Sequence, residues 1–230
     1  MKDNVSRRHF ITAAVTAASA TMIPEAVRAT PGKIRILGVS GSPRKGKTTS
    51  VAVQAALDAA AQVNNNIETE LIDLGGLEIA GSAGASRSDL AEEILDDFQL
   101  ILPSLQAPNL GGLVIGSPVY FRSLSSLCKA FLERLAVLRK PQLALADLPV
   151  GTLAVGAYRN GGQELVIEQI QAAMLCHEVM IVGGKPRAHQ GATLWNNYND
   201  DILKDEFGIT SAKNLGIRVA EAALKLKRQN

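Results

Sequence analysis

From Lys33 onward, short apolar runs alternate with longer amphipathic segments, and this rhythm limits the possible folds more than any other feature of the chain. Such alternation is typical of repeated β-α-β units around a parallel sheet. Each apolar run has the length of one strand, and each longer segment can form the helix that crosses to the next strand. The predicted strands, numbered 1 to 5, are Ile34 to Ser40, Ile67 to Leu74, Gly112 to Ser117, Pro149 to Ala157 and Val179 to Gly183.

The amino-acid content agrees with a sheet that is covered by helices on both faces. Hydrophobic residues make up 47% of the chain and aromatic residues only 4%, so Ala, Val, Ile and Leu must fill the interior. We therefore expect an α/β fold with three layers, and irregular loops at Gly75 to Arg87 and Gly184 to Gly208. The predicted helices are Thr48 to Val63, Asp89 to Leu102, Leu124 to Leu138, Gln163 to His177 and Ser211 to Lys227.

Residues 1–29 have the composition of a targeting segment. The stretch from Ile11 to Ile23 is too short to span a bilayer, which takes about 20 apolar residues. The preceding run from Ser6 to Ile11 resembles the twin-arginine (Tat) motif that directs export of folded proteins. These features predict a twin-arginine signal peptide at 1–29, a single domain at 30–230, the export machinery as a partner, and a periplasmic or otherwise exported location.

Charge and cysteine content exclude a nucleic-acid partner and an iron-sulfur cluster. Residues 30–230 hold twenty basic and twenty acidic side chains, because four basic and two acidic residues lie in 1–29. A neutral domain offers no positive field to nucleic acid, so we expect no nucleic-acid partner. Cys128 and Cys176 lie in apolar helical patterns, which predicts packed core thiols, and two cysteines are too few for an iron-sulfur cluster.

The segment after strand 1, loop 1 (Ser40 to Ser50), has the composition of a phosphate site. Small and hydroxyl-bearing residues let backbone N–H groups converge on an anion, and the following helix adds the positive end of its dipole. Arg44 and Lys47 supply positive charge. The candidate phosphate-binding residues are Ser40, Ser42, Arg44, Lys47, Thr48 and Thr49.

Loop 1 also admits a second interpretation. The run from Gly41 to Thr48 satisfies G-x-x-x-x-G-K-S/T, the pattern of nucleoside-triphosphate-binding loops. Asp73, at the end of strand 2, is then the candidate magnesium residue. A P-loop nucleotide hydrolase therefore remains an alternative.

The segments after strands 3 and 4 face the same end of the predicted sheet, where open parallel sheets bind ligands. Loop 3 (Pro118 to Ser123) carries two aromatic rings on which a planar ring system can stack. Loop 4 (Ala157 to Glu164) carries paired glycines, which allow close approach of the backbone, beside two polar donors. The candidate residues are Pro118, Val119, Tyr120, Phe121, Arg159, Asn160, Gly161 and Gly162.

Together the three loops resemble the NADPH-dependent FMN reductase family, and most closely its iron-sulfur flavoprotein-like branch. The matching segments are Gly41 to Lys45, Gly116 to Phe121 and Arg159 to Glu164, within a similarity from about Lys33 to Gly184. The resemblance implies a flavodoxin-like fold, a doubly wound five-stranded parallel sheet of order 2-1-3-4-5. It also implies a homodimer.

The resemblance implies FMN as the cofactor. Its phosphate would be held by Ser42, Arg44, Thr48 and Thr49, its isoalloxazine lined by 118–121 and Ser123, and its polar edge contacted by Arg159 to Gly162. The implied activity is two-electron transfer from NAD(P)H, or from another donor, through FMN to a quinone, a flavin or another small acceptor. A noncatalytic flavodoxin-like electron carrier is the remaining alternative.

The chain departs from the family pattern at several positions. Lys47 and Thr48 stand where the family commonly has a small residue and Asn, and Arg122 stands where it commonly has Gly. The iron-sulfur branch has a cysteine cluster after the second strand, whereas Gly75 to Arg87 contains no cysteine. The resemblance therefore extends to the flavin and not to the cluster.

Overall fold

The computed structural model describes residues 32–81, 96–186 and 188–227. The predicted twin-arginine segment at 1–29, and with it the boundary to the domain at 30–230, lies outside the described residues. Among the helices in these described ranges, none has both the length and the apolar character needed to cross a membrane.

A parallel sheet forms the centre of the molecule, and its order β2-β1-β3-β4-β5 confirms the predicted α/β, flavodoxin-like topology. The inner strands are almost wholly buried, since helices cover both faces. The strands are β1 (Ile34–Ser40), β2 (Ile67–Asp73), β3 (Leu110–Pro118), β4 (Pro149–Gly156), β5 (Met180–Ile181) and β6 (Ala192–Trp195).

The fifth position of the sheet is divided between two short strands, which corrects the single strand predicted from Val179 to Gly183. The start of β4 pairs with β5 and its end pairs with β6, in both cases in parallel. Strand β6 lies inside the segment from Gly184 to Gly208 that we expected to be irregular. Only Ala192 and Leu194 of this strand are buried, and an alternation of four residues is too short to distinguish a strand from a loop.

The helices form one layer on each face of the sheet. Helices α1 and α5 pack with β6 in one apolar cluster, and α2, α3 and α4 pack in the other, so the predicted three layers are confirmed. Helix α5 begins five residues before the predicted Ser211, and the predicted start of α2 at Asp89 lies outside the described residues. The bounds are α1 (Thr48–Ala61), α2 (Phe98–Leu105), α3 (Ser126–Arg134), α4 (Gln163–Leu175) and α5 (Glu206–Lys227), with 3₁₀ turns at Leu135–Arg139 and Ile202–Lys204.

Helices α1 and α5 approach each other closely at Gly216. A Cβ placed on this residue would lie 1.9 Å from the carbonyl oxygen of Ala56, which is backbone and cannot rotate away. The absence of a side chain at Gly216 therefore sets the distance between the two helices, and with it the position of the start of α1 above the sheet.

Gly216→Ala should lower the free energy of unfolding by about 1 to 3 kcal/mol, because the added methyl overpacks the contact between α1 and α5. Lys213→Ala on the exposed side of the same helix is the matched control and should change it by less than about 0.5 kcal/mol. Urea denaturation followed by circular dichroism measures both. Equal free energies of unfolding for the two variants would contradict the close approach of α1 and α5 at Gly216.

The two cysteines occupy different environments. Cys128 is fully buried, as predicted, whereas Cys176 is exposed, so the prediction of a core thiol is wrong for this residue. Cys176 follows the last residue of α4 on its solvent side, where Ala172 and Leu175 are also exposed, whereas His177 beside it is buried. Burial raises the pKa of the Cys128 thiol to about 12.

Native protein should therefore be alkylated at Cys176 and not at Cys128, because the thiolate is the reactive form and Cys128 is protonated as well as inaccessible. Mass spectrometry after a short treatment with iodoacetamide at pH 8 identifies the modified residue. Protein unfolded in urea is the control and should be modified at both positions. Rapid native labelling of Cys128 would show that the core around it opens.

Candidate functional site

The carboxyl ends of β1, β3 and β4 meet around a cavity of about 210 Å³. Loop 1, loop 3 and the end of β4 all contribute to its walls, as expected at this edge of a parallel sheet. Of the residues predicted from the sequence, the cavity brings together Arg44, Thr48, Pro118, Val119 and Tyr120. The other lining residues are Val155, Gly156, Ala157, Asn196, Tyr198 and Asp200.

Loop 1 is held in shape by Asp73. One carboxylate oxygen accepts a hydrogen bond from the Gly46 N–H at 2.7 Å, and the other accepts from the Gly75 N–H at 3.1 Å. Backbone amides thus engage both oxygens, which is not the arrangement expected for a magnesium residue. Across the described ranges, no cluster of three or more potential metal-ligating side chains is present.

The start of α1 has the donors that a phosphate group requires. The N-cap Lys47 forms no capping hydrogen bond through its side chain within the described structure, so the first-turn N–H groups can face an anion. Thr48 and Thr49 are buried at this point. The Ser40 hydroxyl is buried at the end of β1 and has no hydrogen-bond partner among the described residues. This donor set fits the phosphate of FMN.

A segment that the sequence analysis did not assign to the site, Asn196 to Asp200, lies over loop 1. The Asp200 carboxylate accepts from Arg44 at 2.8 Å and from Lys47 Nζ at 3.0 Å. Hydrogen bonds from these two cations lower the pKa of Asp200. The Asn196 side chain donates to the Thr48 hydroxyl at 3.4 Å. Arg44 and Lys47 are therefore placed side by side by a carboxylate that follows β6.

Tyr198, which lines the cavity, pairs with a second tyrosine. The hydroxyls of Tyr158 and Tyr198 are hydrogen-bonded, and their rings meet edge to face with centroids 5.1 Å apart. The only sequence signal for this segment was Trp195 with Tyr198 in a stretch rich in polar residues. That signal gives neither the target of the segment nor the contacts of Asp200.

Loop 3 turns sharply after its first two residues. The Val119 N–H donates to the Val155 carbonyl, and Tyr120 and Ser123 exchange two backbone hydrogen bonds, each of 2.9 Å. Tyr120 faces the cavity, whereas the Phe121 side chain is fully exposed to solvent. The Ser123 hydroxyl donates to Gln169 on α4 at 2.7 Å, so it anchors the loop to the next helix. The structure does not bring Phe121 and Ser123 to the cavity walls that it describes.

Loop 4 faces a second and larger cavity of about 830 Å³, to which Arg159, Asn160 and Gly162 contribute. Arg159 pairs with the buried Asp205 at 2.7 Å and lies over the Trp195 ring. The Gly161 N–H donates to Gln163 Oε1 at 2.8 Å, which shapes the loop. The three loops therefore share one end of the sheet but open into two neighbouring cavities.

Ser125 connects loop 1 to loop 3. It is the N-cap of α3, and its hydroxyl accepts from the Cys128 N–H at 3.0 Å and donates to the Gly41 carbonyl. Its own N–H donates to the Ser117 hydroxyl at 3.0 Å. A Cβ on Gly41 would lie 2.6 Å from Cβ of Cys128, so the loop and the helix are in direct contact. This buried junction fixes the distance between the two walls of the smaller cavity.

Ser125→Ala should reduce the free energy of unfolding by about 1 to 2 kcal/mol, since the variant loses a helix cap and leaves the Gly41 carbonyl unsatisfied. Ser126→Ala, at an exposed position one residue later, is the control and should leave stability within about 0.5 kcal/mol. Thermal or urea unfolding measures the difference. A Ser125→Ala variant with the free energy of unfolding of the parent would show that this junction does not hold the two walls of the cavity together.

The sequence of residues 34–192 matches the family model of NADPH-dependent FMN reductases. The chain belongs to the NADPH-dependent FMN reductase family. The resemblance inferred from the three loops is confirmed, as is FMN as the cofactor. This FMN reductase family member is therefore an FMN-dependent oxidoreductase that works on a small-molecule electron donor and acceptor.

Curated relatives of this FMN reductase family member include two iron-sulfur flavoproteins. The protein from Methanocaldococcus jannaschii is 36% identical over 198 residues, which cover 85% of this chain and 100% of the relative. The protein from Methanosarcina thermophila is 32% identical over 184 residues, which cover 79% of this chain and 93% of the relative. This chain differs from what the names of these relatives indicate, because its two cysteines cannot provide four cluster ligands.

Solved structures confirm the fold at much lower identity. RosB with bound 8-demethyl-8-formylriboflavin-5′-phosphate superposes with a TM-score of 0.64 at 15% identity, covering 85% of this chain and 81% of RosB. The apo form of an NADH:FMN oxidoreductase gives a TM-score of 0.53 at 22% identity, covering 84% of this chain and 90% of that protein. Both comparisons show the flavodoxin-like architecture.

The predicted twin-arginine signal and periplasmic location are contradicted by the comparison with the M. jannaschii protein. The complete length of that iron-sulfur flavoprotein is matched by 85% of this chain, and the family match begins only at residue 34. The similarity therefore supports the flavoprotein domain and gives no support to export or to the export machinery as a partner. Paired arginines before a short apolar run are a weak signal, because many N-terminal segments share this composition.

Proposed function

We propose that this FMN oxidoreductase takes two electrons from NAD(P)H and delivers them to a small organic acceptor such as a quinone or a flavin. The observation that carries the proposal is the convergence of the α1 start, the Arg44 cation and an aromatic ring on one cavity. A cofactor that joins a phosphate to a planar ring system through a flexible chain needs an anion site and an aromatic surface in the same region.

The residues of loop 1 bind the cofactor's phosphate in this proposal. Arg44 and Lys47 supply charge, and Thr48, Thr49 and the first-turn N–H groups of α1 supply hydrogen bonds. FMN supplies the two-electron redox chemistry, and the protein orients it and controls access to it. Because Asp200 already accepts from both cations, it orients them and also makes their net charge smaller.

The cysteine content supports direct reduction of a small acceptor. The two curated relatives are named iron-sulfur flavoproteins, and this chain has too few thiolates for such a cluster. Electrons must then leave FMN for a molecule that reaches the open cavities at this end of the sheet. The predicted homodimer stays a prediction, which light scattering of the purified protein tests.

Two alternative functions make different predictions. A P-loop hydrolase needs Asp73 for magnesium, but both oxygens of Asp73 accept hydrogen bonds from backbone amides of the loops. A noncatalytic electron carrier would bind FMN without turning over NAD(P)H. Steady-state oxidation of NADPH and NADH with menadione as acceptor separates the carrier from the enzyme.

Purified protein should bind FMN, with the visible absorption of a flavin, and should oxidise NAD(P)H when menadione is added. Lys47→Ala should raise the Kd for FMN roughly tenfold, about 1.4 kcal/mol, since one charge-assisted contact to the phosphate is lost. Lys45→Ala, exposed on the same loop, is the matched control and should bind FMN like the parent. Fluorescence titration of FMN gives both constants.

Protein that binds no FMN, or that hydrolyses nucleotides with magnesium and loses this activity in Lys47→Ala, would contradict the proposal. Equal weakening of FMN binding by Lys45→Ala and Lys47→Ala would show that the loop contributes only a general positive field.

A further inference from the structure

Arg122 has a backbone conformation that arginine rarely adopts. Its φ is 62°, and it follows Phe121, whose φ is 50°, so two residues with side chains lie in the left-handed region in succession. Glycine reaches this region without steric cost, whereas an L-residue with a Cβ is strained there. The position therefore carries an arginine where glycine would be more favourable for folding, and a side chain kept at such a cost points to a function.

The position of the Arg122 side chain is set by its packing on loop 4. A Cβ placed on Gly162, whose φ is 105°, would lie 3.3 Å from Cα, Cβ and Cγ of Arg122. The stem of Arg122 thus packs across the bare backbone of Gly162, and the residue contributes to the wall of the 830 Å³ cavity. This volume lies within the range of about 300 to 1,000 Å³ that is usual for small-molecule sites.

The charges around this cavity leave Arg122 available for a ligand. Arg159, the other arginine of the wall, is paired with Asp205. Glu164 also lines the cavity, and one of its carboxylate oxygens accepts from Gln190 at 3.0 Å. Among the residues that the structure describes, Arg122 has no hydrogen bond and no carboxylate partner. A planar guanidinium in this situation suits the bidentate binding of a phosphate or carboxylate.

The larger cavity and the smaller one share loops 3 and 4. Tyr120 lines the smaller cavity and Arg122, two residues later, lines the larger. The end of β4 lines the smaller cavity, and Arg159 to Gly162 lead into the larger. The same two loops therefore border both cavities, as expected for a co-substrate site next to a cofactor site.

We propose that the 830 Å³ cavity is the co-substrate site and that Arg122 determines its preference for an electron donor or acceptor that carries an anionic group. The inference rests on the proposed function, since it assumes that the smaller cavity holds FMN. The proposal concerns two anionic groups that a co-substrate can have or lack, the 2′-phosphate of NADPH and an acidic substituent of the acceptor, and not the diphosphate that NADPH and NADH share.

The test uses FMN-loaded protein and the variants Arg122→Gly and Arg122→Lys. Arg122→Gly removes the charge and also the left-handed strain, so it should be at least as stable as the parent. Its KM for the anionic co-substrate should rise about tenfold with little change in kcat, because the contact is made equally before and during reaction. Arg122→Lys keeps the charge and should recover part of the loss. Lys45→Ala, exposed on loop 1, is the matched control and should have an unchanged KM.

Two pairs of substrates distinguish the sources of the anion. NADPH and NADH differ in the 2′-phosphate and are compared with menadione as the acceptor. A naphthoquinone sulfonate and menadione differ in charge and are compared with NADH as the donor. A KM that rises in Arg122→Gly for NADPH alone supports a donor site. A KM that rises for the sulfonate alone supports an acceptor site, and a rise for both supports a site that donor and acceptor share. Equilibrium binding of NADP⁺ and NAD⁺, followed through the fluorescence of bound FMN, gives a readout that does not depend on turnover.

The inference is overturned if Arg122→Gly binds FMN normally but has the same KM ratios as the parent, both for NADPH relative to NADH and for the sulfonate relative to menadione. That result would leave the proposed function intact. Failure of the parent protein to bind FMN would overturn both the inference and the proposed function. The flavin absorbance of the purified protein distinguishes this failure from a failure of the inference alone.

Discussion

The arrangement of the site depends on the buried contact between Ser125 and Gly41. One hydroxyl caps α3 and donates to the carbonyl of the residue at which loop 1 leaves the sheet. Cys128 packs against Gly41 on the same side. Loop 1 is also held by Asp73 and loop 3 by Gln169, but the contact through Ser125 joins the two segments directly. The junction makes the two walls of the smaller cavity a single rigid unit, which is how a cofactor site is preorganised.

Several unfavourable features of the chain lie near this unit. Phe121 and Arg122 lie in the left-handed region, the Phe121 ring is exposed, and the Ser40 hydroxyl is buried without a partner among the described residues. The core beneath them is made of well-packed aliphatic residues on both faces of the sheet. Stability supplied by the core tolerates strain in these loops, and strained residues are often found at functional sites.

The sequence predicts well what depends on local pattern. Strands β1 to β4 follow from apolar runs, and the phosphate loop follows from a cluster of small, hydroxyl and basic residues after β1. The same reasoning misses β6, which has four residues and is stabilised by pairing with β4. It also misses Asp200, because the contact with Arg44 joins residues 156 positions apart. The burial of Cys176 is predicted wrongly because a helix rich in apolar residues on several sides does not show which side faces the core.

The two borders of the sheet have a consequence for how the protein behaves at high concentration. On one border, the fifth position is split into strands of two and four residues, so no long row of free amides is offered to another chain. On the other, β2 carries Glu68 and Glu70, both paired with Arg35 of the neighbouring strand. Short or charged borders discourage sheets from joining side by side into fibrils. The molecule should therefore remain dispersed even though its interior strands are almost entirely buried.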